Sequence, residues 1–329
     1  MKPFAYARAS DPDGAVAAFA EGDRYLAGGT NLVDLMKLEV ETPQRLIDIS
    51  HLGLDAIADT ADGGLRIGAG VSNSALAADR RVRERYPVLA QALLAGASGQ
   101  LRNRASVGGN LLQRTRCRYF QDIGKPCNKR SSGSGCGARE GEHRTLAILG
   151  HSPACIATHP SDMAVALAAL DAVVHVRGTT GARALPLVDL HRLPGDDPSR
   201  DTTLAPGELI EAVALPPLPC ARRWRYRKVR ERASFAFALV SVAAALDLDD
   251  DGQTVRDARI ALGAVAHKPW RALAAEAALR GRPATEASFV AAADAELAAA
   301  EPLPDNAYKV GLARDVLVRT LADLAQEDR

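Results

Sequence analysis

Along the first 58 residues the apolar positions fall in short clusters separated by glycine and polar turns. Ala15–Phe19 predicts a helix. RYLAGGTNLVDLMK predicts a short strand, a glycine turn and a helix, and QRLIDIS predicts a second strand with Leu46, Ile47 and Ile49 bunched together. A second unit begins near Leu65. There LRIGAGVSNSAL predicts a strand turning into a helix, with Ser72 as its cap. YPVLAQALLAGAS predicts an apolar helix and RNRASVGGNLL another glycine turn. HPSDMAVALAALDAVVHVRG predicts a helix from about Ser161, then a strand, with Pro160 ahead of Ser161 and Asp162 marking the start. PGDDPSRDTTLAPGE reads as a linker, and a domain boundary is expected at Leu218–Arg222. Beyond it, RRWRYRKVRERASFAFALVSVAAALDLDDDG alternates and then runs apolar into an acidic turn. ARIALGAV is a further strand, and the chain is helical from Arg271 on. That is a small α+β domain, sheet first and helices last.

Composition narrows the class. The 329 residues suit two domains, and 47% hydrophobic with 25% charged residues is ordinary for a globular chain. A net charge of +1 offers no global field for nucleic acid or membrane. No apolar run reaches spanning length; Ala236–Leu246 is the longest. No signal-peptide core or twin-arginine start is read at the N-terminus, so a cytoplasmic location is expected. A partner's export signal would carry a folded complex to the periplasm without changing this chain.

Two glycine turns share one design, Ala27–Asn31 (AGGTN) and Val107–Asn110 (VGGN). Paired glycines permit positive φ, and successive N–H groups can then face one concavity as a nest for an anion such as a diphosphate. Both sequences equally suit plain tight turns. Asp162 reads either as a helix cap or as a carboxylate for a sugar hydroxyl.

Four of the five cysteines lie in one Gly/Ser/Arg-rich segment: Cys117, Cys127, Cys136 and Cys155, separated by nine, eight and eighteen residues. In a reducing compartment clustered thiols point to metal or redox chemistry. Four thiolates suit a [4Fe–4S] cluster. The lack of a C-x-x-C pair weakens zinc without removing it, and His143, His151 and His159 keep mixed sites open. Gly124, Gly133, Gly135 and Gly137 are expected to bring N–H groups to the cluster. Arg114, Arg116, Arg118, Lys125, Lys129 and Arg130 are expected to offset thiolate charge. Cys220 reads as a spare.

LAGGTNLVDLMK, LRIGAGVSNSAL, RNRASVGGNLL, PSDMAVALAALDA, APGELIEAVALP and the C-terminal ARIALGAVAHKPWRALAAEAALRG resemble, in order and spacing, the FAD-binding subunit of the xanthine dehydrogenase and aldehyde oxidoreductase family of molybdenum hydroxylases. The resemblance implies an α+β chain. An FAD-binding domain of the vanillyl-alcohol-oxidase (PCMH) type spans 1–220, in two α/β subdomains of about 1–58 and 59–220, and a C-terminal domain of the CO dehydrogenase flavoprotein type spans 221–329. It implies that Ala27, Gly28, Gly29, Thr30, Asn31, Leu32, Val33 and Asp34 hold the FAD diphosphate, with Ser106, Val107, Gly108, Gly109 and Asn110 as the second contact. Asp162 would bind the sugar chain, Leu209 and Ile210 would lie near the isoalloxazine, and Lys228 would sit at the flavin edge. Lys228 is one of seven basic residues between Arg222 and Arg232, which also suits a solvated strand.

The long insert of about 113–160 departs from the common pattern. It resembles the flavoprotein subunit of three-subunit aldehyde oxidoreductases, in which the insert carries a [4Fe–4S] cluster. The resemblance further implies a molybdopterin-containing large subunit, a [2Fe–2S] small subunit and an external electron acceptor as partners, and no catalytic residue on this chain. A 4-hydroxybenzoyl-CoA reductase-like or a xanthine or CO dehydrogenase-like flavoprotein subunit is the nearest alternative. A self-sufficient FAD alcohol oxidase and a zinc-stabilised scaffold without redox activity are the more distant ones.

Overall fold

The computed structural model describes the chain except residues 219–222, 251 and 327–329. Cys220 and most of the expected boundary therefore lie outside the described residues. Three sheets organise the rest. β1 (Ala5–Arg8), β2 (Asp23–Leu26) and β3 (Arg45–Asp48) form a parallel sheet in the order β1-β3-β2. Its first helix, Pro12–Ala18, starts earlier than apolarity alone suggests, because Asp11 caps it by accepting from Gly14 N at 2.7 Å and Pro12 suits the first turn.

β4 (Ile57–Asp59), β5 (Leu65–Gly68), β6 (Val173–Gly178), β7 (Gly181–Pro186) and β8 (Leu209–Leu215) make an antiparallel sheet, β4-β5-β8-β6-β7. The expected linker is thus an arm returning the chain to a central strand. β8 pairs with β5 through Ile67↔Val213 and with β6 through Val174↔Val213. Asp201 within that arm accepts from Arg114 Nε at 2.8 Å and from Lys129 Nζ, so its Pro/Asp/Gly composition marks irregular structure and not a domain break.

β9 (Arg223–Val229), β10 (Val240–Leu248), β11 (Val255–Gly263) and β12 (Trp270–Arg271) form the C-terminal antiparallel sheet, β12-β11-β10-β9. Arg271 ends a strand, and helix starts only at Leu273. The unbroken apolar run of β10 has a direct cause. Val240, Val242, Ala244 and Leu246 enter the core formed with the C-terminal helices, whereas Ala243 and Ala245 enter the core of the five-stranded unit. A strand buried on both faces loses the polar half of its alternation.

Lys309, on the helix Tyr308–Gln326, is fully buried and donates to the carbonyls of Thr145 (3.1 Å), Leu146 (2.8 Å) and Ala264 (2.6 Å). It ties the last helix to the thiol segment between Cys136 and Cys155. Lys309→Met leaves the Thr145 and Ala264 carbonyls without this donor, while Leu146 O keeps Asn306 Nδ2 at 3.4 Å, and is expected to cost about 3 kcal/mol, read from the urea midpoint. A loss below about 0.5 kcal/mol would show that the carbonyls find other partners.

Candidate functional site

Two cavities meet at the first glycine turn. One, about 420 Å³, lies between the two N-terminal sheets and is lined by Ala27–Leu32, Ser106, Gly108, Gly109, Leu209 and Ile210. The other, about 230 Å³, is lined by Asn110, Asp162 and Lys228 together with Arg116, Phe235 and Phe237. Thr30, Asn31 and Gly109 border both, so the two form one elongated cleft. Leu209 and Ile210 therefore stand in one arm and Lys228 in the other. Val33, Asp34 and Val107 line neither; Val33 packs its Cγ2 towards Gly29, and Val107 is core.

The two glycine turns differ. At the first, Gly29 has φ +74°, and a Cβ on Gly28 would stand 2.1 Å from the carbonyl oxygen of Arg104. Only glycine fits this approach. Among the described residues, the N–H groups of Gly28, Gly29, Thr30 and Asn31 donate to no protein acceptor, and Asn31 Nδ2 is buried without a partner. Unpaired donors at a positive-φ turn suit an anion. The second turn is no such nest. Val107–Leu111 is a short helix capped by Ser106, and its N–H groups are taken: Val107 by Val71 O, Gly108 by Ala69 O, Gly109 by Ser106 Oγ, Asn110 by Ser106 O. Gly108 is small because Ala69 packs against it, with 3.1 Å to an added Cβ.

Asp162 is not the cap of its helix. Ser161 is, accepting from Ala164 N at 2.9 Å while donating to Asn110 Oδ1 at 2.5 Å. Asp162 instead accepts from Tyr226 Oη (2.5 Å) and Lys228 Nζ (2.8 Å), both on β9. Burial, reinforced by Asp162, pushes the Tyr226 phenol well above its usual range. Lys228 is accordingly no solvated strand cation: it is buried in an ion pair at the wall of the cleft.

The thiol segment builds its own small core with Phe120, Leu146, Ile156 and Leu35. Cys117, Cys127 and Cys155 are buried and Cys136 is half-buried; all four are free and line one small cavity. Cys127 and Cys136 face each other across an isolated antiparallel bridge. Ala157 N reaches Cys155 Sγ at 3.5 Å. Burial raises Cys117 and pushes Cys155 up to about 12, with Lys129 opposing. Among the described residues, no three His, Cys, Asp or Glu side chains converge tightly enough to hold one metal ion.

Several expected supporting roles are taken up elsewhere. Gly124 N donates to Asp122, Gly135 N to Asn128 Oδ1 and Gly137 N to Pro126 O, because the loop needs them to close its own turns. Arg114 is held by Glu41 and Asp201, Arg118 pairs with Glu142, and Arg130 donates to the carbonyls of Tyr119, Phe120 and Lys125. Lys129, itself paired with Asp201, is the cation that still acts on Cys155.

Residues 2–218 match the FAD binding domain in molybdopterin dehydrogenase, and residues 224–324 match the CO dehydrogenase flavoprotein C-terminal domain. The chain belongs to the molybdopterin dehydrogenase FAD-binding family. It is 54% identical over 326 residues to the aldehyde oxidoreductase FAD-binding subunit PaoB of Escherichia coli (strain K12), covering 98% of each chain. It is 26% identical to the carbon monoxide dehydrogenase medium chain of Hydrogenophaga pseudoflava, over 91% of this chain and 88% of that one. The solved carbon monoxide dehydrogenase from H. pseudoflava superposes with a TM-score of 0.76 at 27% identity, covering 99% of this chain and 98% of that one. Quinoline 2-oxidoreductase from Pseudomonas putida 86 shares the fold, with a TM-score of 0.75 at 24% identity over 99% of each chain.

This member of the molybdopterin dehydrogenase FAD-binding family also holds a histidine cluster that no local motif announces. His159, His191 and His267 border a small cavity of about 20 Å³ with Asp201, and the His159 and His191 ring centroids are 4.3 Å apart. Burial lowers all three, His191 and His267 to about 4 and His159 well below the usual imidazole range, where the neighbouring His191 adds to the effect. Burial alone would push the Asp201 carboxyl up, but Lys129 and Arg114 overcome it and hold Asp201 below the usual range. The histidines lie far apart in sequence, and only the packing of the insert against the start of the arm and the turn after β11 brings them together.

A stability prediction follows from the sign of these shifts. Folded-state pKa values near 4 against about 6.5 unfolded mean that the unfolded chain binds more protons between those values. Stability is full above about pH 6.5 and falls as pH drops towards 4. The urea midpoint is expected to fall steadily across that window, less steeply in His191→Gln. A flat midpoint from pH 7 to 4 would falsify the burial of neutral histidines.

Among the described residues no helix is long and apolar enough to cross a membrane.

Proposed function

We propose that this chain is the FAD-carrying electron-transfer subunit of a molybdenum-containing aldehyde oxidoreductase, with a [4Fe–4S] cluster held by Cys117, Cys127, Cys136 and Cys155. The observation that carries the reading is four thiols around one cavity beside a cleft with unpaired N–H donors, in a chain 54% identical end to end to an aldehyde oxidoreductase FAD-binding subunit. The domain division at about residue 220 belongs to the same proposal.

The donor set suits the cluster. Each thiolate of a [4Fe–4S] cluster binds a different iron, so four cysteines around a cavity need not converge on one point. A zinc ion with Zn–S near 2.3 Å needs tighter convergence than any trio among the described residues provides. Buried neutral thiols deprotonate on binding iron, since the metal charge offsets the desolvation that raises Cys117 and Cys155.

Gly28–Asn31 would hold the FAD diphosphate through their free N–H groups. Leu209 and Ile210, expected near the isoalloxazine, stand in the larger arm apart from Lys228 and would instead contact the end of the cofactor away from the ring. Asp162, fixed by Tyr226 and Lys228, would accept from a ribityl hydroxyl in the other arm, with Lys228 near the ring. Bound FAD supplies the exchange between one-electron and two-electron carriers. Aldehyde oxidation belongs to a molybdopterin-containing partner, with [2Fe–2S] clusters on a second partner passing electrons here and an external acceptor taking them away. This chain's residues bind and orient, and none acts as a base on the aldehyde.

The test is an anaerobic visible spectrum of the purified chain with iron, zinc and FAD content on the same sample. About four irons and one FAD per chain, with broad absorption beneath flavin bands, are expected. FAD with zinc or without iron removes the cluster from the proposal. Neither FAD nor iron in a folded chain rejects it entirely.

A further inference from the structure

Arg116 stands where the cleft and the thiol site adjoin. It is the neighbour of Cys117 in sequence. It lines the arm of the cleft that contains Asp162 and Lys228, and also a passage of about 60 Å³ that runs from there to Cys117. Its guanidinium lies over the Phe237 ring, 5.0 Å from the centroid, and its Nε is buried without a hydrogen-bond partner.

The neighbouring cations are all engaged. Lys228 is paired with Asp162 at 2.8 Å, Arg114 with Glu41 and Asp201, and Arg102 donates to the carbonyls of Gly96 and Ala97. Asp34 acts on Arg116 only from beyond salt-bridge distance. A half-buried guanidinium with fixed orientation and no carboxylate is costly, and a negative charge arriving in its cavity offsets that cost. Arg116 does not line the arm with Gly28 and Gly29; it shares its own arm with Thr30 and Asn31, the end of the turn that borders both. It stands with Asp162 and Lys228, where the same reading places the flavin ring.

We infer that Arg116 stabilises the negative charge of the reduced isoalloxazine and so sets the midpoint potential of the bound flavin. The inference rests on the FAD reading above. The flavin takes two electrons, delivered one at a time by the iron–sulfur centres, and one proton from solvent, which leaves one net negative charge on the ring. Arg116, whose charge does not titrate in the working range, favours that product over the neutral oxidised ring. Phe237 holds the guanidinium plane in place through its ring face.

The experiment uses the purified full chain, stripped of FAD and retitrated with oxidised and with chemically reduced FAD under anaerobic conditions. A redox titration of the reconstituted protein runs in parallel. In Arg116→Gln the affinity for reduced FAD is expected to fall about tenfold more than that for oxidised FAD, one charge-assisted contact being lost. By linkage the two-electron midpoint then drops by about 30 mV. Arg116→Lys is expected to keep most of the wild-type potential. Should Arg116→Gln not fold, Phe237→Leu decides by the sign, a smaller drop supporting the inference and an unchanged midpoint overturning it. Equal weakening of both redox forms with an unchanged midpoint also overturns it, because that pattern belongs to a diphosphate contact. A wild-type chain that binds no FAD rejects the underlying reading instead.

Discussion

Gly28→Ala is expected to weaken FAD binding about 100-fold while leaving the chain folded. The added methyl would stand 2.1 Å from the carbonyl oxygen of Arg104 and 3.3 Å from Ala105 Cα. Neither neighbour can rotate away, because both are backbone, and Arg104 closes a helix whose next residue, Ala105, accepts from Asn73 N. The turn must therefore move. Overpacking costs about 1–3 kcal/mol, and the displacement also pulls the N–H groups of Gly29, Thr30 and Asn31 off a bound diphosphate. About 3 kcal/mol is two decades of affinity. Fluorescence titration with FAD, with circular dichroism and the urea midpoint as fold controls, measures it. An affinity within about threefold of wild type would show that the turn does not hold the cofactor.

Cys127→Ser should remove the iron and leave the flavin. Cys127 is buried, faces Cys136 across their bridge, and has its N–H held by Ser134 Oγ at 3.0 Å, so its thiol is placed by the loop and not by a ligand. Serine keeps the shape and loses the thiolate that iron requires. The expected result is a fall from about four irons per chain to nearly none, with FAD stoichiometry unchanged. The separation of the two sites supports that independence. The thiols line a cavity of their own, and of the four only Cys117 borders the passage to the cleft. Unchanged iron in Cys127→Ser would remove Cys127 from the ligand set, and loss of FAD together with iron would show that the insert holds up the cleft.

The histidine and Lys309 predictions concern the same region from the stability side. Both sets of buried groups hold distant segments together, His267 through Arg192 O at 2.9 Å and Lys309 through Thr145 and Leu146 of the insert. Their loss is expected in denaturation midpoints. Flavin and iron content report on the other two variants.

Much of this molecule was legible along the chain. Ser72 caps its helix as its position suggested, accepting from Ala75 N at 3.1 Å. The apolar helix after Tyr86 and the strand that follows Ser161–Ala169 are where their periodicity places them. The first glycine pair marks the cleft, and the four cysteines share one cavity. Such signals are local, since a cap, a turn or a buried stripe involves residues within a few positions of one another.

What the chain order could not show depends on distant neighbours. The second glycine pair looked like the first, but contact with Ala69 and the Ser106 cap made it helical. The Pro/Asp/Gly arm looked like a linker until β8 entered the middle of a sheet and Asp201 met Lys129 and Arg114. Lys228 suited a solvated strand as well as the flavin edge until β9 laid it against Asp162. The sequence by itself determined the fold class, the local elements and the residue types available for cofactor chemistry. Tertiary structure alone decided which charges are paired, which N–H groups stay free and which histidines are buried together, because burial and pairing arise from contacts between segments that no local pattern encodes.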